Sequence, residues 1–338
     1  MDGVPEMIDY LREHWKSVGI GTVIVVAAYA YYFLGDSAKA VSILEFSWRF
    51  AIPLVLAAMV GIVGERSGIV NIGIEGQMLT AAFAGFFGAT STGSIWLGAL
   101  IGSMAGMLMG FFLAWVSVQW QMDQVIAGVV INIIATGLTS FYYVPGAVLK
   151  GSMPKLSVPV LSDIPLIGPV FFNRGAIGLL TLVLVFAIHY ALFHTRWGLR
   201  TRAIGEHPNA ADTAGINVIN MRLVNVTFAG LLAGLAGAYL ALEATGTFIR
   251  GMTAGRGFLA LAIMIFGAWY PNRALAAALF FGFASGLASQ LQADEVVAIP
   301  PQLVNLLAPL LTLTVLAVAA GKMRPPAAEG QPFVKGSA

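Results

Sequence analysis

Two acids, Glu75 and Glu243, interrupt long apolar runs of this chain. An ionisable group in such surroundings is costly enough to be a functional candidate by default. Glu75 belongs to the segment GERSGIVNIGIEGQ, residues 64–77, in which glycines and Asn71 punctuate an otherwise apolar run. That pattern suits a helix that unwinds and exposes backbone donors to a solute. If the segment stays helical, Asn71 and Glu75 stand four apart on one face and together offer an amide and an acceptor to a polar substrate. The alternative is that Glu65, Arg66 and Glu75 pair structurally at an interface. Gln77 follows directly, and Phe83 and Phe86 in the next run supply aromatic faces suited to stacking on a ring. Glu243 opens a second polar, glycine-rich segment that runs to Phe258, with Thr245, Thr247 and Thr253 as hydroxyl donors and Arg256 near its end. It suits either the mouth of a pathway or an ordinary loop. Asn132 is an amide inside a third apolar run, where a helix–helix hydrogen bond competes with a solute contact.

Other chemistry is excluded. The chain has no cysteine and four scattered histidines, so thiolate sites and an H-E-x-x-H metal pair are ruled out. No G-x-x-x-x-G-K-[ST] loop occurs anywhere, so nucleotide hydrolysis belongs to another chain if it is used at all. No cofactor is expected on this chain. Net charge is only +2, and the basic residues are dispersed, which argues against nucleic acid as a partner.

The elements that must position these groups are membrane helices. Of the 338 residues, 58% are hydrophobic and 10% charged, against roughly 25% charged in soluble domains. No Asp, Glu, Lys or Arg falls between Glu75 and Asp123, or between Arg174 and Arg196. Runs of about 20 apolar residues cover the roughly 30 Å of a bilayer core. The spacing predicts an all-α polytopic membrane protein of about ten transmembrane helices, at 18–34, 47–64, 73–92, 94–118, 124–144, 175–194, 221–242, 257–271, 273–291 and 302–321. The short, glycine-interrupted 257–271 and the charged 65–75 are the candidates for broken or re-entrant helices. Gly98, Gly102, Gly106 and Gly110, with Gly230, Gly234 and Gly237, place small residues on helix faces for close packing.

Flanking these spans are an N-terminal segment, 1–17, which lacks the pattern of a signal peptide, and a tail, 322–338. Arg196, Arg200, Arg202 and Arg222 cluster around the loop 195–221, and Lys322, Arg324 and Lys335 lie in the tail. With even numbers of spans between them, both termini and this loop share one side, taken as cytoplasmic. The loop 145–174 lies opposite and is proline-rich, so it must be irregular, with room for a short external helix. Within 195–221, Pro208 suits a first helical turn, Ala210 and Ala211 propagate it, and Gly215 suits its stop. A short polar helix of this kind lies exposed unless a partner with a groove covers it.

These residues alone leave open an ATP-driven permease, an ion-coupled secondary transporter and a passive channel. Three segments in order, ERSGIVNIGIEGQM, RAIGEHPNAADTAGI and GMTAGRGFLALAIMIFG, resemble the permeases of bacterial ABC importers for nucleosides and simple sugars, within the branched-chain amino acid and ribose permease superfamily. The resemblance covers approximately 45–320. One departure lies at Gly267–Pro271, where the family carries a more polar residue before Trp269 and an Asn before Pro271. The resemblance implies a permease in the bacterial cytoplasmic membrane that works as a homodimer or with a paralogue. It also implies a cytoplasmic ATPase that uses ATP and Mg, and an extracytoplasmic substrate-binding protein. The helix at 208–214 becomes a coupling helix, with Gly205 and Pro208 fixing its entry. Glu206, Asn209 and Asp212, with Arg200, Arg202 and Ala211 beside them, would then meet the ATPase. Nucleosides are the favoured solute, with sugars or branched-chain amino acids as alternatives.

Overall fold

The computed structural model describes residues 35, 37–151, 153–164, 167–293 and 324–335. The expected segment 1–17 and the spans 18–34 and 302–321 lie outside the described residues. Apolar runs elsewhere fold as helices: α1 (Ser37–Glu65), α2 (Ile74–Thr92), α3 (Ile95–Gln119), α4 (Gln124–Phe141), α5 (Ala176–His194), α6 (Arg196–Glu206), α7 (Pro208–Thr213), α8 (Val218–Ala238), α9 (Arg256–Phe266) and α10 (Pro271–Ala293). A π-helical turn, Tyr239–Ala244, extends α8.

Among the described residues, five helices are long and apolar enough to cross a membrane: Ala38–Glu65, Ile95–Gln119, Gln124–Phe141, Ala176–His194 and Val218–Ala244. Three other expected spans fold as helices that fall outside this set. Of these, α9 has 11 residues, about 16 Å at 1.5 Å per residue, half the thickness of a bilayer core. Helix α1 starts ten residues earlier than its apolar run suggests, because Ser37–Phe46 continues the same helical turn pattern into α10. It is the central element, buried almost throughout from Ala51 to Glu65 and packed on α8, α9, α10 and α5. By contrast, α4 and α5 turn Ile133, Leu138, Val183 and Phe186 outward, as lipid-facing helices do.

The loop 145–174 departs from expectation. Its described residues contain an antiparallel pair, β1 (Lys155–Ser157) with β2 (Asn173–Gly175), and a π-helical turn at Gly168–Phe172 in place of an external α-helix. Prolines remove amide donors along the loop, so a short ladder satisfies what is left more readily than a helix would. The fold is therefore helical with one small sheet.

The glycine spacing finds its reason where α3 meets α8. A Cβ on Gly106 would lie 2.4 Å from the Cα of Gly234, and one on Gly110 would lie 2.9 Å from the Cα of Gly230. Backbones this close exchange dispersion contacts along their whole seam, which is how helices associate without a hydrophobic drive. Gly106→Ala should therefore lower the unfolding temperature in detergent by several degrees, since overpacking typically costs about 1–3 kcal/mol. Gly137→Ala, whose added Cβ meets nothing within 4 Å, should leave that temperature unchanged.

Candidate functional site

Between α1 and α2 the chain leaves the helix. Residues 66–68 form a turn in which Gly68 takes φ +86°, residues 69–71 are irregular, and a second turn leads to Ile74. Asn71 therefore precedes α2, and its side chain does not share a helical face with Glu75. Every break in a helix frees amides and carbonyls, and in apolar surroundings these must find partners. Gln124 Oε1 accepts from the Val70 amide at 2.7 Å. Asn132 works in both directions, accepting from the Gly76 amide at 2.7 Å and donating to the Ile72 carbonyl at 3.1 Å. Asn71 and Gln77, 1% and 0% exposed, join their side-chain amides reciprocally at 3.3 and 3.4 Å.

Glu75 reaches the other discontinuous element. Its Oε1 accepts from the Gly255 amide at 2.8 Å and its Oε2 from the Gly257 amide at 2.6 Å. These are orphan donors at the start of α9, so Glu75 caps α9 from across the fold and sets a negative charge at the positive end of its dipole. Gly257 is required there, since a Cβ would lie 2.5 Å from the Glu75 amide nitrogen. Glu243 repeats the device: its Oε2 accepts at 3.0 Å from the amide of Ile177, in the first turn of α5.

Glu243 also borders a cavity of about 780 Å³ with Thr245 and Arg256. Arg49, Lys155, Arg174 and Arg250 line it too, with Phe46, Phe50 and Tyr239 as its aromatic surfaces. The Arg250 guanidinium sits 4.8 Å from the Tyr143 ring, and that of Arg256 sits 5.5 Å from Phe50 while donating to the Met252 carbonyl at 2.9 Å. Thr245 spends its hydroxyl on the Leu240 carbonyl at 2.9 Å. Phe83 meets Phe248 edge-on at 5.3 Å, and Phe86 is buried. The expected pathway residues thus divide into two groups: Glu243, Thr245 and Arg256 at the cavity, and Asn71, Glu75, Gln77 and Asn132 around the break.

The segment expected to couple to an ATPase, 195–221, begins with two short helices, α6 and α7. Thr195 caps α6 by accepting from Gly198, His207 breaks the run, and Pro208 opens α7, which ends at Gly215 with φ +84°. Arg200, Glu206 and Asn209 are exposed, Pro208 and Asp212 half-buried, and Gly205 and Ala211 buried. Gly205 is pressed against the break, where a Cβ would meet the Arg66 carbonyl. Arg202 lies 5.1 Å from the Phe193 ring, which stacks on Tyr270 at 4.7 Å, and Arg66 faces that same pair.

Three features of this end had no visible signal in the sequence. Glu65 accepts from the indole of Trp269, held by a turn in which Ala268 and Trp269 take positive φ. Arg222, which serves as a topology marker in the sequence, is 1% exposed and donates to the Gln331 carbonyl at 2.8 Å. The tail itself packs here. The Glu329 carboxyl lies beside that of Glu65, and burial pushes the Glu329 carboxyl up from its ordinary 4.5.

With this geometry in place, comparison with known proteins assigns the family. Residues 43–316 match the family described as branched-chain amino acid transport system / permease component. The chain is 39% identical over 301 residues to the guanosine ABC transporter permease protein NupQ of Bacillus subtilis, covering 85% of this chain and 94% of that protein. It is 36% identical over 302 residues to the nucleoside ABC transporter permease protein NupC of Lactococcus lactis, with the same coverage of 85% and 94%. A putative glucose ABC transporter permease protein of Haloferax volcanii, TsgC13, is 35% identical over 73% of this chain and 77% of its own length. The chain belongs to this family of multi-pass membrane permeases.

Two outcomes follow from the site. Glu75→Ala strips two amides of their acceptor, at about 1–3 kcal/mol each when buried, whereas Glu75→Gln keeps one acceptor oxygen. Unfolding temperature should therefore fall in the order wild type, Glu75→Gln, Glu75→Ala, and equal stability of all three would count against the capping role. Because its carboxyl is raised in the docked tail, Glu329 favours docking when protonated. Tail protection in hydrogen exchange should be full below about pH 4.5 and decline as pH rises through the raised value, and Glu329→Gln should flatten that decline.

Proposed function

We propose that this chain is the permease subunit of an ATP-binding cassette importer for nucleosides, acting in the bacterial cytoplasmic membrane with a separate cytoplasmic ATPase. The observation that carries this reading is the near full-length similarity to permeases named for guanosine and nucleosides, at 39% and 36% identity. The cavity beside Glu243 supports it. Its volume of about 780 Å³ lies within the range of roughly 300–1,000 Å³ typical of small-molecule sites. Aromatic rings and hydrogen-bonding side chains around it suit a base and a ribose.

In this reading the chain pairs with itself or a paralogue, and an extracytoplasmic binding protein delivers the solute to the cavity side. The exposed face of α7, with Arg200, Glu206 and Asn209 around it, takes the ATPase, and both termini share its cytoplasmic side. Catalysis stays with the ATPase and its ATP and Mg. Closure of the ATPases moves α7 and, through the contact of Gly205 with Arg66, the break between α1 and α2.

Reconstitution with a cognate ABC ATPase and an extracytoplasmic binding protein provides the test. Uptake of radiolabelled guanosine should require ATP and be competed by other nucleosides, while glucose should not compete. Competition by glucose alone would move the assignment to sugars, and uptake driven by an ion gradient without ATP would overturn it. Ala210→Trp, on the exposed side of α7, should reduce recovery of the ATPase at least tenfold with the permease's own unfolding temperature unchanged.

A further inference from the structure

The tail residues 324–335 lie outside the residues matched to the family, 43–316, yet they are built into the end of the molecule where the coupling segment meets the helix break. Over a few residues the tail bonds to three elements. The Ala328 amide donates to the Gly205 carbonyl at 2.9 Å, at the end of α6, and the Ala327 amide to Glu206 Oε2 at 3.2 Å. The Gly330 amide donates to the Gly68 carbonyl at 3.2 Å, in the break itself. Arg222, near the start of α8, donates to the Gln331 carbonyl at 2.8 Å.

An apolar anchor follows these bonds. Phe333 is 9% exposed and packs with Ile204, Ala211 and Val218, one residue from each of α6, α7 and α8. The underside is equally well closed. Ala328 is 3% exposed, and its carbonyl would lie 3.1 Å from a Cβ added at Gly68, with the guanidinium of Arg222 on the same point. Beside it, the carboxyl of Glu329 meets that of Glu65, the last residue of α1. A loosely laid terminus would leave its amides to water, whereas this one directs backbone groups of Ala328, Gly330 and Gln331 at three different elements.

We infer that the tail is a positioning element of transport: a tie that fastens the coupling helix to the α1–α2 break, so that displacement of α7 is delivered to the break and not lost by sliding between the two. The direct contact of Gly205 with the Arg66 carbonyl transmits a push, since atoms in van der Waals contact resist compression. It cannot transmit a pull. The hydrogen bonds from Ala328 and Gly330 supply the pull, because N–H···O bonds weaken steeply as they lengthen or bend. Both strokes of a cycle then reach the break. Ala210 and Thr213 of α7, with Ala214 at its end, stay exposed with the tail in place, so the tie acts with the ATPase docked. This inference rests on the proposed import function.

The test removes the tie and reads coupling separately from assembly and folding. Truncation after Met323 in the complete complex should leave the ATPase bound and hydrolysing ATP, while uptake falls at least tenfold. Gly330→Pro, which deletes the amide that reaches Gly68 and cannot take the φ of +72° found there, and Phe333→Ser, which deletes the anchor, should both release the tail and show the same loss of uptake per ATP while the helical circular dichroism of the permease is retained. They decide the matter if the truncated chain does not fold. Uptake per ATP equal to wild type in these two variants would overturn the tie. So would loss of the ATPase from the complex, which would make the tail part of the docking surface. Failure of the wild-type complex to import with ATP would instead overturn the proposed function, whatever the tail does.

Discussion

An interrupted helix in apolar surroundings must find a partner for every amide and carbonyl that it releases, and the arrangement around residues 66–73 follows from that constraint. The partners come from distant elements: Gln124 and Asn132 from α4, and Gly330 from the tail. Left unpaired, each buried polar group would cost about 1–3 kcal/mol, several of which together would exceed the whole stability of many domains. The break is thus affordable only because α4, α6 and the tail converge on it.

The two acids obey the same constraint from the other direction. Glu75 caps α9 and Glu243 caps α5, each bringing a carboxylate to the positive end of a helix that starts inside the bundle. A charge held in this way is a structural part of the frame that surrounds the cavity. It also makes the frame two-ended: Glu243 lies at the cavity, while Glu65, ten residues before Glu75, lies at the coupling end beside Trp269 and Glu329.

Local features were legible. The four-residue glycine spacing announced the α3–α8 seam, because spacing along a helix maps directly onto its faces. Pro208 and Gly215 announced α7, because each limits the backbone at its own position. The break was visible in the glycines of 64–76 and the shortness of α9 in its own run. What these signals could not carry was the partner of any polar side chain. Asn71 and Glu75 stand four apart in sequence, which suggested a shared face, but the unwinding that the same glycines encode removes the helix that would align them.

Composition and periodicity alone determined that this chain is a helical membrane protein, where five of its spanning helices lie, and that it carries no G-x-x-x-x-G-K-[ST] loop. Hydropathy and turn chemistry act over a few residues, so a linear reading recovers them. Tertiary structure decided that Glu75 spends both oxygens on amides 180 and 182 residues away, that Arg222 is buried and bonded to the segment 324–335, and that this segment bonds the end of α6. Hydrogen bonds form wherever donor and acceptor meet in space, and no local pattern records where a chain of this length will bring them together.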